Sequence, residues 1–207
     1  MLDTIILKIK GLLFNPVETF QNSRMDETRA VVSCFGVLLL FFAGLCAAFD
    51  FALLFLSYLL SSASADPYAI SSGSSAYMSL AMVFVVPLTA FVGILIIGSL
   101  FMVIFSLWTH LWVYLLGGRK GYFQTLHAIL YSMTPNLLLG WIPLVGMFAS
   151  LWTLVLFFFA IRELQELDDG KTVGVILLSV FLPMVVLGTL LILAVMAMVS
   201  PGGSFSH

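Results

Sequence analysis

Long apolar runs separated by short polar segments occupy most of this chain. A membrane-spanning helix needs about 20 consecutive apolar residues, and five runs reach or approach that length: Ala30–Leu60, Leu80–Leu116, Phe123–Leu139, Trp141–Ile161 and Thr172–Val199. This pattern predicts an all-α, polytopic integral membrane protein with five transmembrane helices. The predicted spans are about 30–55, 80–116, 123–139, 141–162 and 172–199, within a membrane domain over 30–200 that is followed by a short external tail at 201–207.

The residues before the first long run show a helical periodicity of their own. Apolar side chains recur there with polar residues between them: Leu2, Ile5, Ile6, Ile9, Leu12 and Leu13. This spacing predicts an interfacial amphipathic helix within a cytoplasmic N-terminal segment, residues 1–29. Asn15, Pro16 and Glu18 suit the first positions of a second helix. The segment is interpreted as an anchor packed under the bundle or as a sensor of lipid packing or curvature.

Positive charges indicate how the chain is threaded. The run Leu80–Leu116 is long enough for one tilted helix or two short ones. With one crossing, all eight lysines and arginines lie on one side, whereas two crossings move Arg119 and Lys120 to the other. Because cytoplasmic loops carry an excess of Lys and Arg, we favour one crossing, with the N-terminus cytoplasmic and the C-terminus external. Loop charge leaves open whether residues 123–162 form two full spans, which we favour, or a re-entrant hairpin.

Composition supports a membrane environment. The chain is 62% hydrophobic and 9% charged, whereas a soluble domain is about 45–50% apolar and about 25% charged. These values exclude a soluble globular enzyme, a nucleic-acid-binding protein and a disordered chain, and they make the lipid bilayer the main partner. Cys34 and Cys46 are predicted to be free thiols, because about 18 Å of helix separates them. No metal site and no cofactor are predicted, because no Cys/His cluster has suitable spacing.

Several polar side chains fall inside the predicted spans, where insertion of an ionisable group is costly and therefore suggests a function. His110 and His127 lie at similar depth on neighbouring helices and could face each other. Asn136 could bond the backbone carbonyl that Pro135 frees, or a neighbouring helix, and Asp50 falls near the outer interface. The candidate intramembrane polar cluster is His110, His127, Tyr131, Asn136 and Asp50.

Two charged loops lie on the predicted cytoplasmic side. Gly117–Gly121 carries two cations, and Arg162–Lys171 has a net charge of -2. The second loop is predicted to be helical up to Gly170, with Arg162 and Glu166 spaced to pair. The loops are expected to pair with each other or to present a polar surface to a soluble partner. The candidate partner-binding rim is Arg119, Lys120, Arg162, Glu163 and Glu166.

These features resemble the Yip domain family, multi-span membrane proteins named for their interaction with Ypt/Rab GTPases. The resemblance begins at Leu13–Phe20 and is most specific at Gly117–Leu126, Tyr131–Pro135, Trp141–Gly146 and Ile161–Leu164. It implies five spans and the threading described above. Eukaryotic members have a longer cytoplasmic N-terminal region with an Asp-Leu-x-Gly-Pro motif, which this sequence lacks. The resemblance therefore implies a compact prokaryotic-type member in the plasma membrane.

The sequence offers no catalytic set, and the His-Glu-x-x-His motif of metalloproteases is absent. We therefore predict that the protein is not an enzyme, but a non-catalytic membrane protein that organises the membrane or recruits a cytoplasmic partner. The alternative is a transporter or channel for a small solute or ion, with a path lined by Asp50, His110, His127 and Asn136. A stripe of small residues on the first span is a candidate homo-oligomer contact. Its members are Ala43, Gly44, Ala47 and Ala48.

Overall fold

A computed structural model describes the backbone of residues 2–63 and 73–199, and the side chains of 6–60 and 80–196. All regular structure in these ranges is helical, as predicted. The predicted tail at 201–207 and the side chains of Leu2 and Ile5 lie outside the described residues. The helices are α1 (Leu2–Phe14), α2 (Pro16–Asn22), α3 (Thr28–Ala63), α4 (Gly73–Leu115), α5 (Tyr122–Ser132), α6 (Thr134–Leu139), α7 (Pro143–Gln165), α8 (Asp169–Ile176) and α9 (Leu182–Val199).

Four of the described helical segments are long and apolar enough to cross a membrane. They are Thr28–Leu60, Leu80–Leu115, Pro143–Gln165 and Asp169–Met196. Large apolar side chains cover the outer faces of α4 and α9, where a soluble protein carries mostly polar groups. These surfaces fit the hydrocarbon core of a bilayer.

The first two long helices, α3 and α4, pack side by side in antiparallel directions. The rings of Phe51 and Phe84 lie 5.5 Å apart. Towards the other end of the pair, Leu39 of α3 lies beside Gly98 of α4, 3.6 Å from where a Cβ would be. Because α4 continues past Pro87 without a break, the run Leu80–Leu116 forms one helix rather than two.

The central helix of the bundle is α5. Every side chain from Thr125 to Ser132 is buried, and the helix contacts α3, α4 and α7. A helix that is covered on several sides can carry polar side chains only if neighbouring helices supply hydrogen-bond partners. The functional candidates on α5 are therefore positioned by the elements around it.

The segment 123–139 is two short helices, not the single helix predicted. It breaks at Met133, between α5 and α6, because Pro135 has no N–H to donate to the carbonyl of Tyr131. The Thr134 hydroxyl donates to that carbonyl instead, at 2.7 Å. Of the two roles predicted for Asn136, the bond to this carbonyl is therefore filled by Thr134, whereas the bond to a neighbouring helix is confirmed, because Asn136 Oδ1 accepts from Ser150 Oγ of α7.

A second proline alters the last long helix. Leu177–Phe181 forms one π-helical turn between α8 and α9. Pro183 cannot donate to the carbonyl of Ser179, four residues earlier, and the indole N–H of Trp108 on α4 donates to it at 3.2 Å. This hydrogen bond attaches the last long helix to the bundle.

Replacing Trp108 with phenylalanine should lower the free energy of unfolding by about 1–2 kcal/mol, because the carbonyl of the buried Ser179 loses its donor. Denaturant titration of the purified protein in detergent measures the change. In a Pro183→Ala background, the restored backbone N–H should bond the carbonyl, so that Trp108→Phe costs less. An equal loss in both backgrounds would contradict this explanation of the π-helical turn.

The first two helices form a hairpin on the flank of the bundle. A Cβ on Gly11 would lie 2.5 Å from Thr19 Oγ1, so α1 and α2 approach each other closely at this glycine. Leu12 and Phe20 are fully buried, and α1 contacts α6 while α2 contacts α7. The N-terminal segment is therefore part of the packed structure.

The small residues of α3 do not share one face. Ala43 is fully buried, Ala47 is half-buried, and Gly44 and Ala48 are exposed. Successive residues on a helix point about 100° apart, so the stripe divides between the inside and the outside of the bundle. A homo-oligomer contact stays a prediction for Gly44 and Ala48 alone.

Candidate functional site

An ion-pair network joins the N-terminal segment to the end of α7. Arg24 Nη1 donates to Glu166 Oε1 at 2.9 Å, and its Nη2 donates to Glu163 Oε2 at 3.3 Å. Gln21 Nε2 also donates to Glu163 Oε2, at 3.1 Å. Because the Glu163 side chain is only 11% exposed, its charge depends on these donors. One guanidinium thus bridges two carboxylates of the predicted rim.

The Gly117–Gly121 loop reaches the same network through Lys120. Its Nζ lies 2.6 Å from Glu166 Oε2, so each carboxylate oxygen of Glu166 contacts a different cation. The pKa of Glu166 lies below its usual range. The hydrogen bond from Lys120 and the charges of Lys120 and Arg24 lower this pKa, and desolvation opposes them only in part. We call Arg24, Lys120, Glu163 and Glu166 the rim platform.

The backbone at the end of α7 positions Glu166. The helix ends at Gln165, and Glu166 adopts the left-handed conformation with φ of 52°, which commonly ends a helix. The N–H of the next residue donates to the Arg162 carbonyl at 3.2 Å, and a new helix begins at Asp169. The prediction of one helix up to Gly170 was wrong, because this left-handed residue interrupts it.

Glycines shape the loop that carries Lys120. Gly117 and Gly121 have φ of 104° and 93°, a region that other residues rarely adopt. Gly118 packs so closely that a Cβ would lie 2.4 Å from Val113 Cγ1. Gln165 Nε2 donates to the Gly121 carbonyl at 3.0 Å. The loop is therefore held against α4 and α7.

Two residues of the predicted rim lie outside the network. The guanidinium of Arg119 lies 4.4 Å from the ring centroid of Tyr114, in cation–π geometry on an exposed surface. Arg162 Nε lies 2.9 Å from Asp169 Oδ1. The spacing of Arg162 and Glu166 predicted an ion pair between them. They do not pair, because Glu166 lies outside the helix.

The role of Arg24 was not predicted from the sequence. An arginine just before a span resembles an ordinary positive-inside residue, and 139 positions separate it from Glu163. Charge balance gave no signal for it. The two cations of the Gly117–Gly121 loop already match the net charge of -2 of Arg162–Lys171.

His110 and His127 lie on opposite sides of α5 and do not face each other, contrary to the prediction. His110 Nδ1 lies 2.9 Å from Thr125 Oγ1, and His127 Nε2 lies 3.1 Å from Thr28 Oγ1. Positions 125 and 127 point about 200° apart on a helix. The central helix therefore separates the two imidazoles.

A second polar cluster joins α1 and the segment just before α3 to α5. The Tyr131 hydroxyl donates to Asp26 Oδ2 at 2.6 Å, and Lys8 pairs with the same oxygen while its Nζ lies 4.9 Å from the Tyr131 ring centroid. Burial raises the pKa of Asp26, but the hydrogen bonds from Lys8 and Tyr131 and the charge of Lys8 outweigh this and hold it below its usual range. The sequence did not predict this cluster beyond naming Tyr131.

The depressed pKa of Asp26 predicts acid sensitivity. Its stabilising contribution should be fully present above the ordinary carboxyl value of 3.8 and should be lost as the pH falls through the lower value of the folded state. Denaturant titrations from pH 7 to pH 3 measure this. The stability gap between the natural protein and Asp26→Asn should be constant at neutral pH and shrink at the acidic end. Parallel pH profiles would contradict the ionised pair.

The remaining predicted polar residues lie apart from both clusters. Asn136 Oδ1 accepts a hydrogen bond from Ser150 Oγ at 3.3 Å, between α6 and α7. Asp50 is half-buried on α3, and its carboxylate makes no hydrogen bond or ion pair within the described residues. Asp50, His110, His127 and Asn136 thus make no hydrogen bonds with one another.

The chemistry available at these clusters is charge pairing and hydrogen bonding. No group of three or more His, Cys, Asp or Glu side chains in the described part of the chain is arranged to hold a metal ion. Cys34 and Cys46 are free thiols, as predicted.

The comparison with known families agrees with this architecture. A family model described as the Yip1 domain matches residues 10–192, which is most of the 207-residue chain. The chain belongs to the Yip1 domain family. The resemblance noted in the sequence is therefore confirmed. No curated protein and no solved structure gives a significant match.

The range matched by the Yip1 domain model, residues 10–192, includes all four residues of the rim platform. Together with the four long apolar helices, family membership identifies an integral membrane protein. Membership in this family is typical of a non-catalytic membrane protein.

Proposed function

We propose that this Yip1 domain protein recruits a soluble protein partner to the membrane through its cytoplasmic rim. The observation that carries the proposal is the rim platform. Three segments that are far apart in the sequence are joined by ion pairs into one charged surface. The side chains of Arg24, Lys120 and Glu166 are still 39%, 47% and 46% exposed. Charges that are already fixed lose little conformational entropy when a partner binds.

A large apolar side chain stands beside the rim platform. Met25 is 95% exposed and follows Arg24 directly. Methionine and arginine are enriched at protein interfaces, and the flexible thioether of Met adapts to partners of different shape. Met25 therefore supports a docking surface with an apolar contact at its edge and charges that orient the partner.

The proposal includes the threading that brings the rim platform to the cytoplasm. The four long segments each cross the membrane once, and α5 and α6 together form the third of five spans, roughly 27 Å over residues 122–139. All eight lysines and arginines then lie on the side of the N-terminus. The hairpin of α1 and α2 starts at the cytoplasmic interface and packs along the bundle as far as α6. The C-terminus is external, and the membrane is a prokaryotic plasma membrane.

Photo-crosslinking from the rim tests the proposal. Met25→p-benzoylphenylalanine is introduced into the full chain in native membranes, and the adducts are identified by mass spectrometry. We expect an adduct with one soluble protein, and we expect Glu166→Gln to lower its yield about fivefold, because a partly exposed charge contributes up to about 1 kcal/mol.

Two controls make this experiment specific. Asp168→Asn removes an exposed carboxylate that has no ion pair within the described residues, and it should leave the yield unchanged. The same photoreactive residue at Leu187, on the exposed face of α9, should give no soluble adduct. An adduct that forms equally from Leu187, or a yield unaffected by Glu166→Gln, would refute recruitment by the rim platform.

A further inference from the structure

One face of α5 carries a row of three polar side chains, Gln124, His127 and Tyr131. The positions are three and four residues apart, so the side chains share a face of the helix. All three bond to the stretch of residues 24–28 that leads into α3. Their partners are, in the same order, the carbonyl of Arg24, the hydroxyl of Thr28 and the carboxylate of Asp26. This stretch is therefore attached to α5 along one polar stripe.

The imidazole of His127 is buried and has one ring nitrogen without a partner. The residue is 2% exposed. Its Nε2 bonds Thr28, whereas its Nδ1 has no hydrogen-bond partner within the described residues. A neutral imidazole can leave one nitrogen as an unpaired acceptor, but an imidazolium carries an N–H on both. Because a buried charged donor without an acceptor is costly, this arrangement suits the neutral form of His127.

Two charged groups face His127, namely Lys8 and Asp26. They pair with each other, so the carboxylate is already engaged and the ammonium adds a positive charge near the ring. Further titratable groups around α5 are neutral or bonded to other partners. They are Cys34 of α3, Tyr122 and Tyr131 of α5 itself, His110 of α4 and Glu163 of α7. A proton on His127 therefore places a second positive charge near Lys8, without an unpaired carboxylate to balance it among these groups.

The N-terminal segment covers His127. Position 127 follows Tyr122, the first residue of α5, by five residues, roughly 7.5 Å along the helix. In the proposed threading, the imidazole lies close to the cytoplasmic end of its span, beside Lys8 and Asp26. Moving these two residues away exposes the ring to cytoplasmic water, which solvates the imidazolium. The released state therefore binds the proton more readily than the docked state, and docking weakens as the pH falls.

We propose that His127 is a proton-operated latch, whose protonation releases the N-terminal segment from α5. Histidine has an ordinary pKa of about 6.5, so such a latch acts near neutral pH. Because Arg24 belongs to the released segment, the latch also moves one member of the rim platform. Any effect on partner recruitment rests on the proposed function, but the release itself needs no partner.

Hydrogen exchange measures the release. The backbone amides of α1 in the purified full chain are followed by mass spectrometry at pH 7.5, 6.5 and 5.5, and each rate is corrected for the intrinsic pH dependence of exchange. We expect the protection of α1 to fall by up to about tenfold per pH unit below about pH 6.5, the limit for one proton. Protection of α9 should not change. Asp26 does not titrate in this range, because its pKa is held below its ordinary value of 3.8.

Two histidine variants locate the sensor. His127→Gln keeps a hydrogen-bonding side chain for Thr28 but takes up no proton, so the protection of α1 should become independent of pH. His110→Gln, on the opposite side of α5, should keep the full dependence. A fall in protection that persists in His127→Gln, or natural protein whose α1 protection is constant from pH 7.5 to 5.5, would overturn the latch.

The variant Thr28→Val tests the latch from the other side of the bond. This isosteric change removes the hydroxyl that holds His127 Nε2, so it should lower the protection of α1 about fivefold at pH 7.5. It leaves the histidine in place, so its result does not depend on the folding of His127→Gln. Unchanged protection would contradict the latch. Since no partner enters these measurements, this proposal and recruitment by the rim platform can fail separately.

Discussion

Replacing Arg24 with methionine should lower the free energy of unfolding by about 2 kcal/mol, because it leaves a largely buried carboxylate without its charged partner. The stranded group is Glu163, whose side chain is 11% exposed and would keep only Gln21 as a side-chain donor. Methionine retains most of the arginine stem, so the loss reports mainly on the charge. Denaturant titration in detergent, followed by tryptophan fluorescence, measures it.

A double-mutant cycle separates this effect from lost packing. In a Glu163→Gln background no carboxylate is left unpaired at that position, so Arg24→Met should cost about 1 kcal/mol. Arg29→Gln removes an exposed cation that has no ion pair within the described residues, and it should be nearly neutral. If Arg24→Met costs the same with and without the Glu163 carboxylate, the Arg24–Glu163 pair does not hold the N-terminal segment to α7.

Replacing Gly118 with alanine should destabilise the protein by about 2 kcal/mol through overpacking. The new Cβ would lie 2.4 Å from Val113 Cγ1 and 3.1 Å from the Val113 carbonyl oxygen, and Val113 is fully buried. The loop must shift to relieve the clash, and Lys120 shifts with it. Thermal unfolding of the purified variant measures the loss.

Two variants provide the controls for Gly118→Ala. Gly93→Ala on α4 meets nothing within 4 Å and should be neutral or slightly stabilising, because alanine favours helix. Val113→Ala removes the atom that clashes, so adding Gly118→Ala to it should cost less than in the natural protein. A Gly118→Ala variant as stable as Gly93→Ala would contradict the close packing of the loop.

The long helices were predictable because lipid imposes one strong requirement on sequence. Every residue that faces the hydrocarbon must be apolar, and every backbone group must bond within the helix. The runs that became α3, α4, α7 and α8–α9 therefore appear directly in the chain. The positions of the positive charges predicted that α4 crosses the membrane once, and α4 extends past Pro87 as one helix.

The polar contacts were less predictable because they depend on the angular position and the surroundings of each helix. The depth of His110 and His127 was inferred from spacing, but the helix that lies between them is visible only in the fold. Thr134 and Trp108 illustrate the same limit. Each donates to a carbonyl that a proline leaves free. Thr134 is close to its carbonyl in the sequence, whereas Trp108 is far from the carbonyl of Ser179.

The rim platform combines a predictable and an unpredictable part. Lys120 and Glu166 lie on two oppositely charged loops, and the sequence predicted that such loops could pair. Arg24 and the left-handed Glu166 could not be foreseen, because they depend on where the hairpin of α1 and α2 packs and on where α7 ends. This hairpin brings the N-terminal segment into the rim surface and places Met25 at its edge.

Side-specific cysteine labelling tests most directly whether the N-terminal segment and both charged loops form one cytoplasmic surface. Single cysteines at Met25, Arg119 and Asp168 are introduced into the chain with Cys34→Ala and Cys46→Ala, and a membrane-impermeant maleimide is applied to intact cells and to inside-out vesicles. All three positions should react only in the inside-out vesicles. Labelling of any one of them in intact cells would contradict the single cytoplasmic rim.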